Sequence, residues 1–133
     1  MYLLDTNICI YLMKNKYPHL QAKVEEKPIS SLALSSVTLA ELEYGISKSK
    51  YPEKNKDLLY GFISPFDIVS FSELDAENFG YIRAILERSG TPIGPYDLQI
   101  AAQCLTRNLC LITNNVKEFE RVPNLKIENW IDE

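Results

Sequence analysis

The chain has 133 residues, 46% hydrophobic and 24% charged, with a formal net charge of −4. That length and balance describe one ordinary globular domain with a real core, and exclude a disordered or low-complexity chain. No apolar run approaches the ~20 residues of a membrane span, no signal peptide is visible, and the lone His19 leaves a histidine-based zinc site or a Ser-His-Asp triad without support.

In chain order, "YLLD" predicts a strand over 2–5, followed by a helix over 6–14. A second helix over 17–26 carries Pro18 in its first turn. "SLALSS" predicts a strand over 31–36, and "VTLAELEYGISKS" a helix over 37–49 with Ser36 as its N-cap. Pro52 opens a helix over 52–63. A strand over 67–71 leads to a helix over 73–89 capped by Ser72. "SGTPIGP" is a loop, and Pro95 opens a helix over 95–107. Residues 109–112 read as a strand, 116–120 as a helical turn or more, and 125–129 as a last strand. Apolar strands alternating with helices define an α/β layered domain with a mostly parallel sheet, residues 1–133 forming one domain. Cys9, Cys104 and Cys110 form no C-x-x-C pair and sit among apolar residues. They read as reduced structural thiols, which places the chain in the cytoplasm.

Ligands of such sheets bind outside the carboxyl ends of the strands. Asp5 ends the first strand there, although an N-cap role for the helix at 6–14 is an equally ready reading. On a helix, Glu41 shares a stripe with Val37, Ala40 and Tyr44, whereas Glu43 points about 200° away, toward solvent. Asp97 falls at the third position of the helix that Pro95 opens, where an acid suits the dipole. It also tops an apolar stripe through Ile100, Ala101, Cys104 and Leu105, with Gln99, Gln103 and Arg107 marking the wet face. No Lys or Arg lies within a turn of these acids on the same face. Buried anions need counter-charge, and a hard divalent cation with oxygen ligands, Mg²⁺ or Mn²⁺, would supply it. Thr113, Asn114 and Asn115 end another strand and bring polar groups to the same edge.

Together, "LLDTNICIYL", "SSVTLAELEYG", "PIGPYDLQIAA", "LITNNVKEFERV" and "LKIENW" resemble the motifs of the PIN-domain ribonucleases. Within that family the chain is similar to the VapC-type toxins of bacterial toxin–antitoxin pairs, and to the subgroup that cleaves initiator tRNA. The resemblance spans nearly the whole chain. It implies a three-layer α/β/α domain with Mg²⁺ or Mn²⁺ in an acidic pocket, hydrolysing RNA phosphodiesters to a 5′-phosphate and a 3′-hydroxyl. Carried over by motif, it implies Asp5, Glu41 and Asp97 as catalytic acids, Asp5 and Asp97 as metal ligands, and Thr6 and Thr113 as supporting hydroxyls. Many members place a fourth acid where this chain has Asn115, which offers an oxygen but no charge. The resemblance also implies a homodimer and a cognate antitoxin, and the lack of a long apolar run leads to the expectation of no membrane partner.

The chemistry stands beside the resemblance. A cation held by Asp5 and Asp97 lowers the pKa of bound water and polarises a phosphoryl oxygen, with Glu41 orienting the attacking water. Lys14, Lys16, Lys48, Lys50, Lys54 and Lys56 could rim the cleft for phosphates, and Tyr44, Tyr96 and Arg83 could line it. Two other functions fit the fold. A phosphoacceptor receiver domain expects a pair of acids after the first strand and a lysine after a later one; here Asp5 stands alone and asparagines replace the lysine. A non-catalytic RNA-binding or protein-interaction module is supported only by Asn115.

Overall fold

The computed structural model describes residues 1–131. The elements are β1 (Tyr2–Leu4), α1 (Thr6–Met13), α2 (Pro18–Glu26), β2 (Leu32–Ser35), α3 (Ser36–Ser47), α4 (Pro52–Ile63), β3 (Asp67–Val69), α5 (Glu73–Arg88), α6 (Pro95–Arg107), β4 (Cys110–Ile112), α7 (Val116–Phe119) and β5 (Lys126–Glu128). A 3-10 turn, Ile29–Ser31, leads into β2. The strands make one sheet in the order β3-β2-β1-β4-β5, and every pairing is parallel. Among the described residues no helix is long and apolar enough to cross a membrane.

The strands are apolar on both faces because both faces are covered. Leu3, Ala33 and Leu111 pack with Ile82 and Leu86 of α5 and Leu98, Ile100, Ala101 and Cys104 of α6. Their neighbours Leu4, Leu34 and Ile112 face the other way, into Ile8, Cys9 and Leu12 of α1, Leu20 of α2, Leu59 of α4 and Trp130. Helices on each face of a central sheet give the expected three layers.

Strand β1 is central, with β2 on one side and β4 on the other, registered Leu4 to Leu34 and Leu4 to Ile112. Strand order reverses there, so Asp5, Ser35 and Thr113, each at or just past a strand's carboxyl end, open onto a topological switch point.

Two expectations need correction. Helix α3 is capped by Ser35, not Ser36: the Ser35 hydroxyl accepts from the amide of Val37 at 2.9 Å. Nor is the outer edge of α6 wet. Gln103 is fully buried, accepting from the Ser35 hydroxyl and donating to the Val69 carbonyl at 3.0 Å. It ties α6 to the carboxyl ends of β2 and β3 and fixes the helix that carries Asp97. Arg107 binds the buried Asp75 at 2.6 Å and donates to the Ser70 carbonyl at 3.1 Å. Helix α6 then ends at Asn108, whose φ of 54° turns the chain into β4, a left-handed conformation that asparagine tolerates.

Candidate active site

Asp5 is both a cap and a buried anion. Its Oδ1 accepts from the amide of Ile8 at 2.9 Å, which fixes the start of α1, yet the residue is only 4% exposed. Burial pushes its carboxyl up to about 6, with Glu41 adding repulsion, although hydrogen bonds from Thr113 and Ile8 oppose the shift.

Glu41 lines the cleft beside Asp5, and Oγ1 of Thr6 donates to its Oε1 at 2.7 Å. The Thr6 hydroxyl also lies 3.1 Å from that of buried Thr38. Glu43 faces α4 instead, where the Tyr60 hydroxyl donates to it.

Asp97 lies in the first turn of α6, as its place after Pro95 predicts. Its Oδ2 would stand 4.0 Å from a Cβ added at Gly94, so the carboxylate folds back toward the helix start. Burial, then Glu118, Asp5 and Glu41, push it up to about 6. Among the described residues, the charges acting on it are all anionic.

Asp75 shows the alternative. Burial would raise its carboxyl, but Arg107 and the capping hydrogen bonds at Ser72 outweigh that and hold it below the usual carboxylate range. The fold thus neutralises one buried aspartate with a guanidinium, while Asp5 and Asp97 are left to repel each other.

Glu118 is the site residue that the sequence did not reveal. From α7 it accepts from the amide of Gly94 at 3.2 Å and from Nδ2 of Asn115 at 2.7 Å. Asn115 itself donates its backbone amide to Thr113 Oγ1 at 3.0 Å. The amide at position 115 therefore presents a carboxylate from one turn further on. The clue was the i, i+3 spacing of Asn115 and Glu118, hidden in the charged run "VKEFE".

Of the other candidates, Lys14 and Lys48 line clefts that share Glu41. Lys16, Lys50 and Lys56 lie over tyrosine rings, as Lys48 does over Tyr44. Arg83 pairs with Glu87 and borders a separate hollow.

Among the described residues, no three Asp, Glu, His or Cys side chains converge on one point as a finished ligand set. The donor types nonetheless suit a hard divalent cation: carboxylates at one sheet edge, hydroxyls of Thr6 and Thr113, and the oxygen of Asn115. The observation supporting such a guest is the raised pair Asp5 and Asp97, on which no Lys or Arg among the described residues acts to neutralise the charge.

Asn115→Asp should tighten Mn²⁺ binding by roughly 1 kcal/mol or more at an effective dielectric near ~20. It should also lower metal-free stability, because it replaces the hydrogen bond to Glu118 with carboxylate repulsion. Mn²⁺ titration calorimetry with melting in chelator reads both. Unchanged affinity would remove position 115 from the site.

A five-stranded parallel sheet with acids at its switch point defines the class, and the comparisons agree. The PIN domain family matches residues 2–125, and the chain belongs to that family. Within it the chain falls with the VapC ribonucleases. A tRNA(fMet)-specific endonuclease VapC of Salmonella typhimurium is 44% identical over 129 residues, 97% of each chain. Ribonuclease VapC2 of Rickettsia felis is 44% identical over 135 residues, 98% of each. The crystal structure of VapBC2 from Rickettsia felis bound to a promoter DNA fragment superposes with a TM-score of 0.90 at 41% identity, covering 97% of this chain and 98% of that one. The receiver-domain alternative does not survive this match.

Proposed function

We propose that this chain is a divalent-metal-dependent endoribonuclease, the toxin of a toxin–antitoxin pair, acting on a structured RNA such as a tRNA. The observation that carries the proposal is the contrast among the aspartates: buried Asp75 has Arg107, whereas the charges acting on buried Asp5 and half-buried Asp97 at the sheet's switch point come from other acids among the described residues. The names of the relatives support the substrate class and the partner.

Asp5 and Asp97 would hold Mg²⁺ or Mn²⁺, with Glu118 and Asn115 at its margin. When bound there, such a cation would supply Lewis-acid chemistry, making a water more acidic and polarising a phosphoryl oxygen. Glu41, its Oε1 pinned by Thr6, orients the attacking water. Thr113 steadies Asp5 by donating to its carboxylate. Hydrolysis gives a 5′-phosphate and a 3′-hydroxyl.

An antitoxin also has a place to dock. An apolar groove of about 530 Å³ between α1, α3 and α4 is lined by Ile10, Met13, Leu42, Ile46 and Leu58, with Glu41 on its border. An amphipathic segment seated there could extend an arginine to the carboxylates. The family resemblance adds a homodimer, which ultracentrifugation would read.

The test is cleavage of purified tRNA by the purified protein, active with Mn²⁺ and silent in EDTA. Expression alone should arrest growth, and co-expression of the adjacent small antitoxin should restore it. Glu41→Ala should remove activity, and Glu43→Ala should leave it nearly unchanged. Equal losses from the two glutamates, or full growth on induction of soluble protein, would refute the assignment.

A further inference from the structure

We propose that the cleft between the outer side of α3 and the first turn of α6 seats an unpaired nucleotide next to the cleaved bond, with Tyr44 and Tyr96 as stacking platforms and Lys48 as the phosphate contact. The choice of RNA as occupant rests on the nuclease function proposed above.

The cleft has a volume of about 760 Å³ and is continuous with the acidic edge, because Thr6 and Glu41 form part of its wall. Tyr44, Lys48, Tyr96 and Gln99 form another part. Tyr44 is 66% exposed and Tyr96 58%. Scattered exposed aromatics are ordinary, but these two share one cleft and are each tied to an acid of the site. Tyr44 lies three residues after Glu41 on α3, and Tyr96 immediately precedes Asp97 on α6. Glu41 belongs to the same wall as both rings, so a base stacked on either ring shares the cleft with its carboxylate.

Charge favours the same occupant. Lys48 is the cation in this wall, and its Nζ stands 4.8 Å from the Tyr44 ring centroid. A flexible ammonium beside an exposed ring can meet a phosphate while the ring meets the attached base. Asn7 and Gln99 add amide groups that can reach base edges. The neighbouring groove of Ile10, Met13, Leu42, Ile46 and Leu58 lacks exposed aromatics and suits an apolar protein segment instead. Proteins read structured RNA largely through unpaired, unstacked bases laid on aromatic side chains, and this cleft has that composition.

The Asp97→Asn background should bind RNA without cutting it, so affinity can be read by fluorescence anisotropy. The probes are a labelled stem-loop RNA and a fully paired RNA of equal length. The stem-loop should bind more tightly. Tyr44→Ala and Tyr96→Ala should each weaken it about tenfold or more, while Tyr44→Phe and Tyr96→Phe retain binding. Lys48→Ala should flatten the dependence of log Kd on log salt by roughly one contact, a slope change of about 0.7. All three side chains are exposed, so the variants should melt like their parent. With Asp97 restored and Mn²⁺ present, the alanine variants should raise KM and leave kcat within about twofold.

Unchanged loop affinity in both Tyr→Ala variants, equal binding of paired and looped RNA, or loss of antitoxin binding alone would overturn the seat. A wild type that cleaves RNA while both Tyr→Ala variants match it would overturn the seat and keep the nuclease. A wild type that shows the expected tyrosine dependence of binding but never cleaves RNA would support the seat and refute the nuclease.

Discussion

Asp5→Asn and Asp97→Asn should each lower metal-stimulated cleavage by at least about a thousandfold while the protein stays folded. Asparagine keeps the shape of the side chain and one oxygen but removes the charge on which a hard cation depends. The expectation is sharpest at Asp5, because its two roles can be separated. Asparagine caps helices as well as aspartate does, so the contact to the Ile8 amide should survive in Asp5→Asn. Asp5→Ala loses the charge and also the cap, at a further cost of about 1 kcal/mol in stability. At Asp97 the neutral side chain relieves repulsion from Glu118, Asp5 and Glu41, so Asp97→Asn should melt no lower than wild type in chelator. Asp75→Asn is the opposite control. It strips the partly exposed Arg107 of its charged partner and should lower stability by less than the ~3–5 kcal/mol lost when a fully buried pair is broken, yet it touches nothing at the site. Initial rates on tRNA with Mn²⁺, together with melting curves, separate these cases. Full activity in Asp97→Asn would remove the carboxylate from the chemistry.

The elements were legible because strand and helix periods are local properties, and prolines and serines punctuate them. Pro52 and Pro95 open helices where the sequence places them, and Ser72 with Asp75 closes a capping box. The cap of α3 was misplaced by one residue because Ser35 and Ser36 are chemically equal; only strand register makes Ser35 the last extended residue. The outer edge of α6 was misread for a different reason. Helical phase says that Gln103 and Arg107 turn away from the stripe of Ile100 and Ala101, but a helix packed against both a sheet and α5 has little wet surface. Their partners lie at Ser35, 68 residues away, and Asp75, 32 residues away. No local pattern reports such pairs. Asp5, Glu41 and Asp97 were visible as acids on apolar faces. Glu118 was not, because a glutamate in "VKEFE" looks solvated until α7 folds back on Gly94.

In the absence of a divalent cation, stability should fall as pH rises from about 4 to about 6, the reverse of the usual behaviour of a protein's aspartates. A carboxyl paired with a cation has a depressed pKa and stabilises the fold once it ionises. Asp5 and Asp97 are instead pushed up to about 6 from 3.8. Between those values the folded chain binds more protons than the unfolded chain, so each step up in pH favours unfolding. For the deeply buried Asp5 the full shift corresponds to about 3 kcal/mol at most, present below pH 4 and lost above pH 6. Asp97 acts in the same direction. Asp75, held low by Arg107, acts in the opposite direction, at pH values below this window. A cation bound between the carboxylates should reverse the effect, because it favours their ionised forms and binds the folded state. Scanning calorimetry in EDTA should therefore show a higher Tm at pH 4.5 than at pH 7, a slope much reduced in Asp5→Asn, and a rise at pH 7 on adding Mn²⁺. A Tm in EDTA that climbs steadily from pH 4.5 to 7, with no response to Mn²⁺, would mean that these carboxylates are already neutralised within the chain and that no cation belongs between them.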